Sequence, residues 1–189
     1  ELIVWQDGEF ITLDNAKVNL LTHSLHYGVS VFEGVRCYQT DHGRSIFRLN
    51  EHSKRLLRSA HILNMKVSYN EEMLNQAQKE LIQRNNLNDA YIRPLVYYDG
   101  EGYVGLHTKN VTTRIAIAGW HWQNYLTDQQ YQNGIHVRTA SFARYHPNSL
   151  LGKAKSSGKY LSTIMALQEA SHSGVDDAIF LDQQVYVSE

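Results

Sequence analysis

Cysteine occurs once in this 189-residue chain, at Cys37, and proline twice, at Pro94 and Pro147. One thiol cannot close an intrachain disulfide, so a reducing, cytoplasmic setting is expected. Neither sign of charge is in excess: 18 lysines and arginines face 19 aspartates and glutamates, a formal net charge of -1. That balance argues against nucleic acid or a membrane surface as a partner through bulk electrostatics. No apolar run approaches the ~20 residues of a membrane-spanning helix, and no charged-then-apolar leader opens the chain. Internal repeats, low-complexity tracts and Pro/Ser-rich linkers are also missing.

Several chemistries lack their motifs. There is no HExxH, no Cys-His set and no G-x-S-x-G elbow, so neither a metal site nor a nucleophile elbow is expected. His23 and His26 are read as structural or exposed, and Cys37, in an apolar strand, as a buried inert thiol. The run Gly100-Glu101-Gly102-Tyr103-Val104-Gly105 fits the dinucleotide pattern G-x-G-x-x-G. That pattern needs its glycines to open a helix. Here they lead through His107 to Asn110 into the β-branched stretch Val111 to Ile117, so a glycine loop is expected instead.

What is present is apolar patterning sufficient for a core, with 42% hydrophobic residues. Leu2 to Leu13 reads as a hairpin turning at Asp7-Gly8. Val31 to Gln39 and Ser45 to Leu49 read as strands. Leu56, Ala60 and Leu63 then form the apolar stripe of a helix capped at Asn50. Leu74, Ala77 and Leu81 form that of a second helix, with Ser68 and Glu71 as a capping box. Strands resume at Ala90 to Tyr98, Thr112 to Trp120 and Ile135 to Phe142. A helix from about Lys159 to Ser171 precedes short strands at Asp177 to Leu181 and Val185 to Val187. Strands and helices mix without regular βαβ alternation, which implies the α+β class. The pattern breaks near residues 120 to 135, giving a smaller domain over 1–122, an interdomain segment over 123–134 and the beginning of a larger domain over 135–189.

Lys155, Tyr160 and Glu189 form a suggestive set. An amine, a phenol and a carboxylate are the groups that pyridoxal 5'-phosphate takes for its aldehyde, its ring oxygen and its ring nitrogen. The pattern Lys155-x-Ser157-Gly158-x-Tyr160 resembles the lysine motif of the fold-type IV, or class IV, aminotransferases. Further matches lie in the order of the branched-chain amino acid aminotransferases of that class. They are His26-Tyr27-Gly28, Val31-Phe32-Glu33-Gly34-Val35-Arg36, Ile46-Phe47-Arg48, Ala90-Tyr91-Ile92-Arg93-Pro94-Leu95 and Val187-Ser188-Glu189.

The resemblance implies a two-domain fold-type IV enzyme that transfers an amino group between leucine, isoleucine or valine and 2-oxoglutarate. Lys155 would be the Schiff-base lysine. Glu189 would hold the ring nitrogen protonated, Tyr160 would bond the ring oxygen, and Arg48 would bind the phosphate. Arg93, two residues from Tyr91 on one strand face, would engage the side-chain carboxylate of glutamate or 2-oxoglutarate. Phe32, Gly34, Tyr91, Trp122, Tyr125 and Tyr160 would line the pocket for the aliphatic side chain. Tyr27 and Leu106 match positions that reach the partner's site, which implies a homodimer. D-amino-acid aminotransferase and aminodeoxychorismate lyase share the fold and are the enzymatic alternatives; an inactive fragment is the non-enzymatic one. Lys159 stands where the motif commonly carries Asn, and its ammonium is expected to point to solvent. Relatives continue beyond the Ser-Glu pair, so the 189 residues are expected to be a portion of a longer enzyme.

Overall fold

The Asp7-Gly8 turn closes the first hairpin of a computed structural model that describes residues 1–100, 105–122, 124 and 126–189. Both turn residues have positive φ, 47° and 101°, the backbone that a two-residue hairpin turn demands. The turn joins β1 (Ile3–Gln6) to β2 (Glu9–Thr12). The chain divides into two units, Glu1–Trp122 with Lys153–Gly158, and Gln123–Gly152 with Lys159–Glu189. Residues 153–158, which include Lys155, pack with the first unit, and 123–152 with 159–189 form the second.

In the first unit, α1 (His23–Tyr27) leads into β3 (Ser30–Phe32), β4 (Val35–Thr40) and β5 (Gly43–Ile46). Helices α2 (Leu49–Ile62) and α3 (Glu71–Arg84) follow, then the long strands β6 (Ala90–Asp99) and β7 (Thr112–His121). The antiparallel sheet runs β2-β1-β7-β6-β4-β5, with β3 also paired to β6. Leu56 and Ala60 of α2 and Leu74, Ala77 and Leu81 of α3 cluster with Val35, Cys37, Ile92, Val96 and Ile117 of the sheet. Both expected stripes therefore form the core. Cys37 is fully buried, and that burial raises its thiol pKa.

Two helix starts differ from expectation. Arg48, in a left-handed conformation, precedes α2, while Asn50 accepts a bond from Asn75 of α3 at 2.9 Å. Asn70, not Ser68, caps α3 by accepting from the Met73 amide, because its side chain is the one directly preceding the first turn. The expected strand Val31 to Gln39 is broken at Glu33-Gly34. β3 pairs with residues 95–97 of β6 and β4 with residues 90–92, so the two lie end to end along one edge of β6. Pro94 sits opposite the break. Its carbonyl accepts from the Glu33 amide at 3.0 Å, and its missing N–H faces the point where the ladder is interrupted.

In the second unit, α4 (Asp128–Asn133) starts at a Thr127/Gln130 capping box. β8 (Val137–Thr139) pairs in parallel with β9 (Asp177–Ile179), and α5 (Tyr160–His172) crosses between them. Parallel neighbours require such a crossover. β8 is shorter than the expected strand over 135–142. Val185 to Val187 forms only an isolated bridge, Leu181 to Val187. Among the described residues no helix is long and apolar enough to cross a membrane.

Candidate active site

The segment around Lys155 lies against the end of α1 and the whole of β3. Phe32 N donates to the Lys155 carbonyl at 3.1 Å, Gly158 N to the Gly28 carbonyl at 3.1 Å, and Ser30 Oγ to Ser157 Oγ at 2.7 Å. The Lys155 amide donates to Ser59 Oγ of α2 at 3.0 Å, and Ser59 is fully buried. Glycine suits 158 because of this close approach: a Cβ there would stand a tight 3.2 Å from the Gly28 carbonyl oxygen, and the backbone would have to give by a few tenths of an ångström. The Ser-Gly of the lysine motif is thus a docking surface for the Gly28 to Ser30 backbone.

The Lys155 ammonium stands 4.8 Å from the centroid of the Phe32 ring, and the Arg93 guanidinium carbon 4.5 Å from the same ring. Two cations on one aromatic platform make this region attractive to carboxylates and phosphates. Arg93 Nη2 donates to Tyr91 Oη at 3.1 Å. The Tyr91 ring stacks on Trp122 at 5.2 Å and 25°, with Trp120 tilted on it. Gly34 leaves the room that the phenol fills, since a Cβ there would lie 2.1 Å from Tyr91 Oη. Arg93 Nε is buried with no hydrogen-bond partner among the described residues. An orphaned buried donor of this kind is costly unless an acceptor arrives.

Behind the platform, Glu33 is fully buried. Its carboxylate accepts from both Nε and Nη2 of Arg55, and pairs with His52 Nδ1 at 2.8 Å. Burial pushes its pKa up, but the hydrogen bonds and charges of Arg55 and His52 outweigh this and lower it overall. His52, Arg55 and Ser59 share one face of α2 at spacings of three and four, the face that meets both Glu33 and Lys155. Sequence reasoning missed Glu33, His52, Arg55 and Ser59. An acid beside a pocket aromatic was the available signal for the first three; nothing local marks Ser59.

Arg48 is placed elsewhere. Its side chain is 62% exposed and pairs with Glu51 of the first turn of α2 at 2.8 Å. Tyr27 is partly exposed and Leu106 is 80% exposed. Tyr125, like most of the glycine loop, lies outside the described residues. His23 is buried against Tyr27 and Tyr98, and His26 bonds the Leu20 carbonyl. No group of metal-ligating side chains occurs among the described residues.

Tyr160 and Glu189 belong to the second unit. Tyr160 opens α5. Glu189 is held by its backbone, with Phe180 N donating to its carbonyl at 2.7 Å, and by its side chain, with Arg144 Nη1 2.5 Å from Oε2. Lys159 is 6% exposed, not solvated. Its ammonium donates to the Leu151 carbonyl and lies 5.4 Å from the Tyr145 ring centroid, because an acceptor and an aromatic ring are close enough to replace its water.

Residues 30–189 match the family model described as amino-transferase class IV. The chain belongs to the class IV aminotransferase family, and its α+β architecture is that of the fold-type IV enzymes. Among curated proteins it is 46% identical over 187 residues to the branched-chain-amino-acid aminotransferase of Pseudomonas aeruginosa, covering 99% of this chain and 61% of that protein. The Escherichia coli enzyme of the same name is 38% identical over 186 residues, covering 98% and 60%. A crystal structure of the T.th. branched-chain amino acid aminotransferase with pyridoxamine 5'-phosphate superposes with a TM-score of 0.94 at 39% identity, over 100% of this chain and 62% of that one. The chain therefore spans about three fifths of the length of these relatives.

Proposed function

We propose that this protein transfers an amino group between branched-chain L-amino acids and 2-oxoglutarate with pyridoxal 5'-phosphate as cofactor. The observation that carries the reading is the shared Phe32 platform, with Lys155 and Arg93 both over one ring. The donor set fits the cofactor: Lys155 offers an amine for the aldehyde, Glu189 an anion for the ring nitrogen, Tyr160 a phenol for the ring oxygen, and arginine a guanidinium for the phosphate. When bound, the cofactor would supply an electron sink for breaking the C–H bond at the substrate α-carbon.

The chain's own groups do the rest. The Lys155 amine, displaced from the aldehyde by substrate, would carry a proton from the substrate α-carbon to the cofactor's aldehyde carbon, and back again in the second half-reaction. The Glu189 carboxylate would keep a proton on the ring nitrogen. Two arginines compete for the phosphate: Arg48 by resemblance, and Arg55 by its place on the α2 face that meets Lys155. Phe32, Tyr91 and Trp122 offer an apolar wall to an aliphatic side chain, and the resemblance assigns Tyr125 the same task. The orphaned Nε of Arg93 suits the second carboxylate of glutamate, so one pocket serves both side chains. Tyr27 and Leu106, exposed on this chain, serve the site of a second copy in a homodimer. A single cysteine accords with a cytoplasmic location.

Borohydride reduction with the cofactor present, followed by peptide mapping, tests the assignment. A pyridoxyl group is expected on Lys155 and nowhere in Lys155→Ala; an adduct on another lysine, or near-normal turnover by the variant, overturns it. Assays with L-leucine, D-alanine and aminodeoxychorismate separate the branched-chain reading from its two alternatives.

A further inference from the structure

The second unit carries a chain of contacts from Lys159 to Glu189 that the proposed reaction does not use. Arg144 and Glu189 are fastened to neighbouring residues of one segment: Arg144 N donates to the Leu181 carbonyl at 2.8 Å, and Phe180 N to the Glu189 carbonyl at 2.7 Å. Their side chains meet at 2.5 Å. Arg144 also donates from Nη2 to Tyr145 Oη at 3.2 Å, and its guanidinium carbon lies 4.5 Å from the Tyr145 ring centroid. The buried Lys159 ammonium contacts that ring as well, and ties the Leu151 carbonyl to the start of α5. Tyr145 is itself partly buried, and desolvation raises the pKa of its phenol, so it remains a neutral acceptor for Arg144.

We propose that Arg144 is a positioning residue for Glu189, and that Tyr145, contacted by both Arg144 and Lys159, keeps Arg144 in place. The proposal rests on Glu189 being the partner of the cofactor's ring nitrogen. Arginine is a long side chain, and pinning it costs conformational entropy. A ring under the guanidinium and a phenol on Nη2 leave it little freedom to lose when it meets the carboxylate. Arg144 occupies Glu189 Oε2, while Oε1 has no hydrogen-bond partner among the described residues. One oxygen is thus held by the protein and the other is left to accept from the ring nitrogen. A lone carboxylate that is 46% exposed would otherwise sample several rotamers.

The test uses the whole enzyme and its Arg144→Met, Arg144→Lys and Tyr145→Ala variants. Two quantities are read: cofactor affinity from tryptophan quenching, and the nitrogen-15 resonance of ring-labelled pyridoxal phosphate. Arg144→Met is expected to weaken cofactor binding about five- to tenfold and to move the resonance toward the unprotonated ring. Arg144→Lys should recover much of both, and Tyr145→Ala should fall between wild type and Arg144→Met. If Arg144→Met does not fold, Tyr145→Ala decides alone, since it leaves the ion pair intact. Variants that fold, bind within about twofold of wild type and keep the resonance unmoved overturn the proposal while the function stands. Wild type that takes no adduct on Lys155 overturns the proposed function and this inference with it.

Discussion

Replacing Gly34 by alanine probes the platform with the least ambiguity, because the added atom has a known obstacle. The new Cβ would stand 2.1 Å from Tyr91 Oη and 2.8 Å from Cζ, so the phenol oxygen must retreat by about 1.3 Å to reach ordinary contact. It cannot do so quietly. The oxygen accepts from Arg93 at 3.1 Å, and the ring is packed on Trp122 and Trp120. Overpacking of this kind costs ~1–3 kcal/mol, and loss of a partly buried guanidinium–phenol bond adds ~1 kcal/mol. A total of about 3 kcal/mol should lower the melting temperature by ~6–12 °C for a chain of this size. Circular dichroism melts give this number, and the KM for 2-oxoglutarate should rise in parallel because Arg93 loses its phenol. Tyr91→Phe removes the 2.1 Å obstacle and leaves the 2.8 Å one. The double variant should therefore be more stable than the sum of the singles by ~1 kcal/mol, a coupling of the size expected for residues in contact. A Gly34→Ala protein that melts within ~1 °C of wild type, or a strictly additive double variant, would refute the packing argument.

Three further outcomes are expected. Because the folded pKa of Glu33 is depressed, its stabilisation is present above the ordinary value of 4.5 and is lost as pH falls through the folded value. The stability gap between wild type and Glu33→Gln should thus narrow on acidification below 4.5, read by urea melts across pH. Arg48→Ala should change stability by less than ~0.5 kcal/mol, as exposed ion pairs do, whereas Arg55→Ala strands a buried carboxylate and should cost ~3 kcal/mol or more. Cofactor titration of the same two variants identifies which guanidinium holds the phosphate. Asn85 accepts from the Ile3 amide and donates to the Ile3 and Leu81 carbonyls, so Asn85→Ala should loosen β1 by ~1–2 kcal/mol, seen as faster hydrogen exchange at Ile3.

The stripes of α2 and α3 were legible because Leu56, Ala60, Leu74, Ala77 and Leu81 recur at helical spacing and are indeed the buried faces. The alternation of β6, with Ile92 and Val96 inward and Tyr91 and Arg93 on the other face, was legible for the same reason. The break at Glu33-Gly34 was not, since Val31, Val35 and Cys37 recur at even spacing as they would in one unbroken strand. The features at the break come from far along the chain: Pro94 sits opposite it, and Tyr91 fills the space beside Gly34. Nor could local pattern reveal that Lys159 is buried, because a lysine is mostly solvated unless tertiary structure brings it an acceptor. The left-handed Arg48 at the start of α2 has no compositional cue at all.

The return of residues 153–158 to the first unit also orders events in time. Ser30 and Ser157 are bonded across 127 positions, so a ribosome working at roughly 5–20 residues per second needs ~6–25 s between making one and the other. Until then Phe32 and the α2 face carrying Ser59 lack the Lys155 segment they will contact. The Phe32 side of the proposed site is therefore synthesised before its amine, and under the proposed function capture of the cofactor through Lys155 at its folded site would begin only once this late segment has docked.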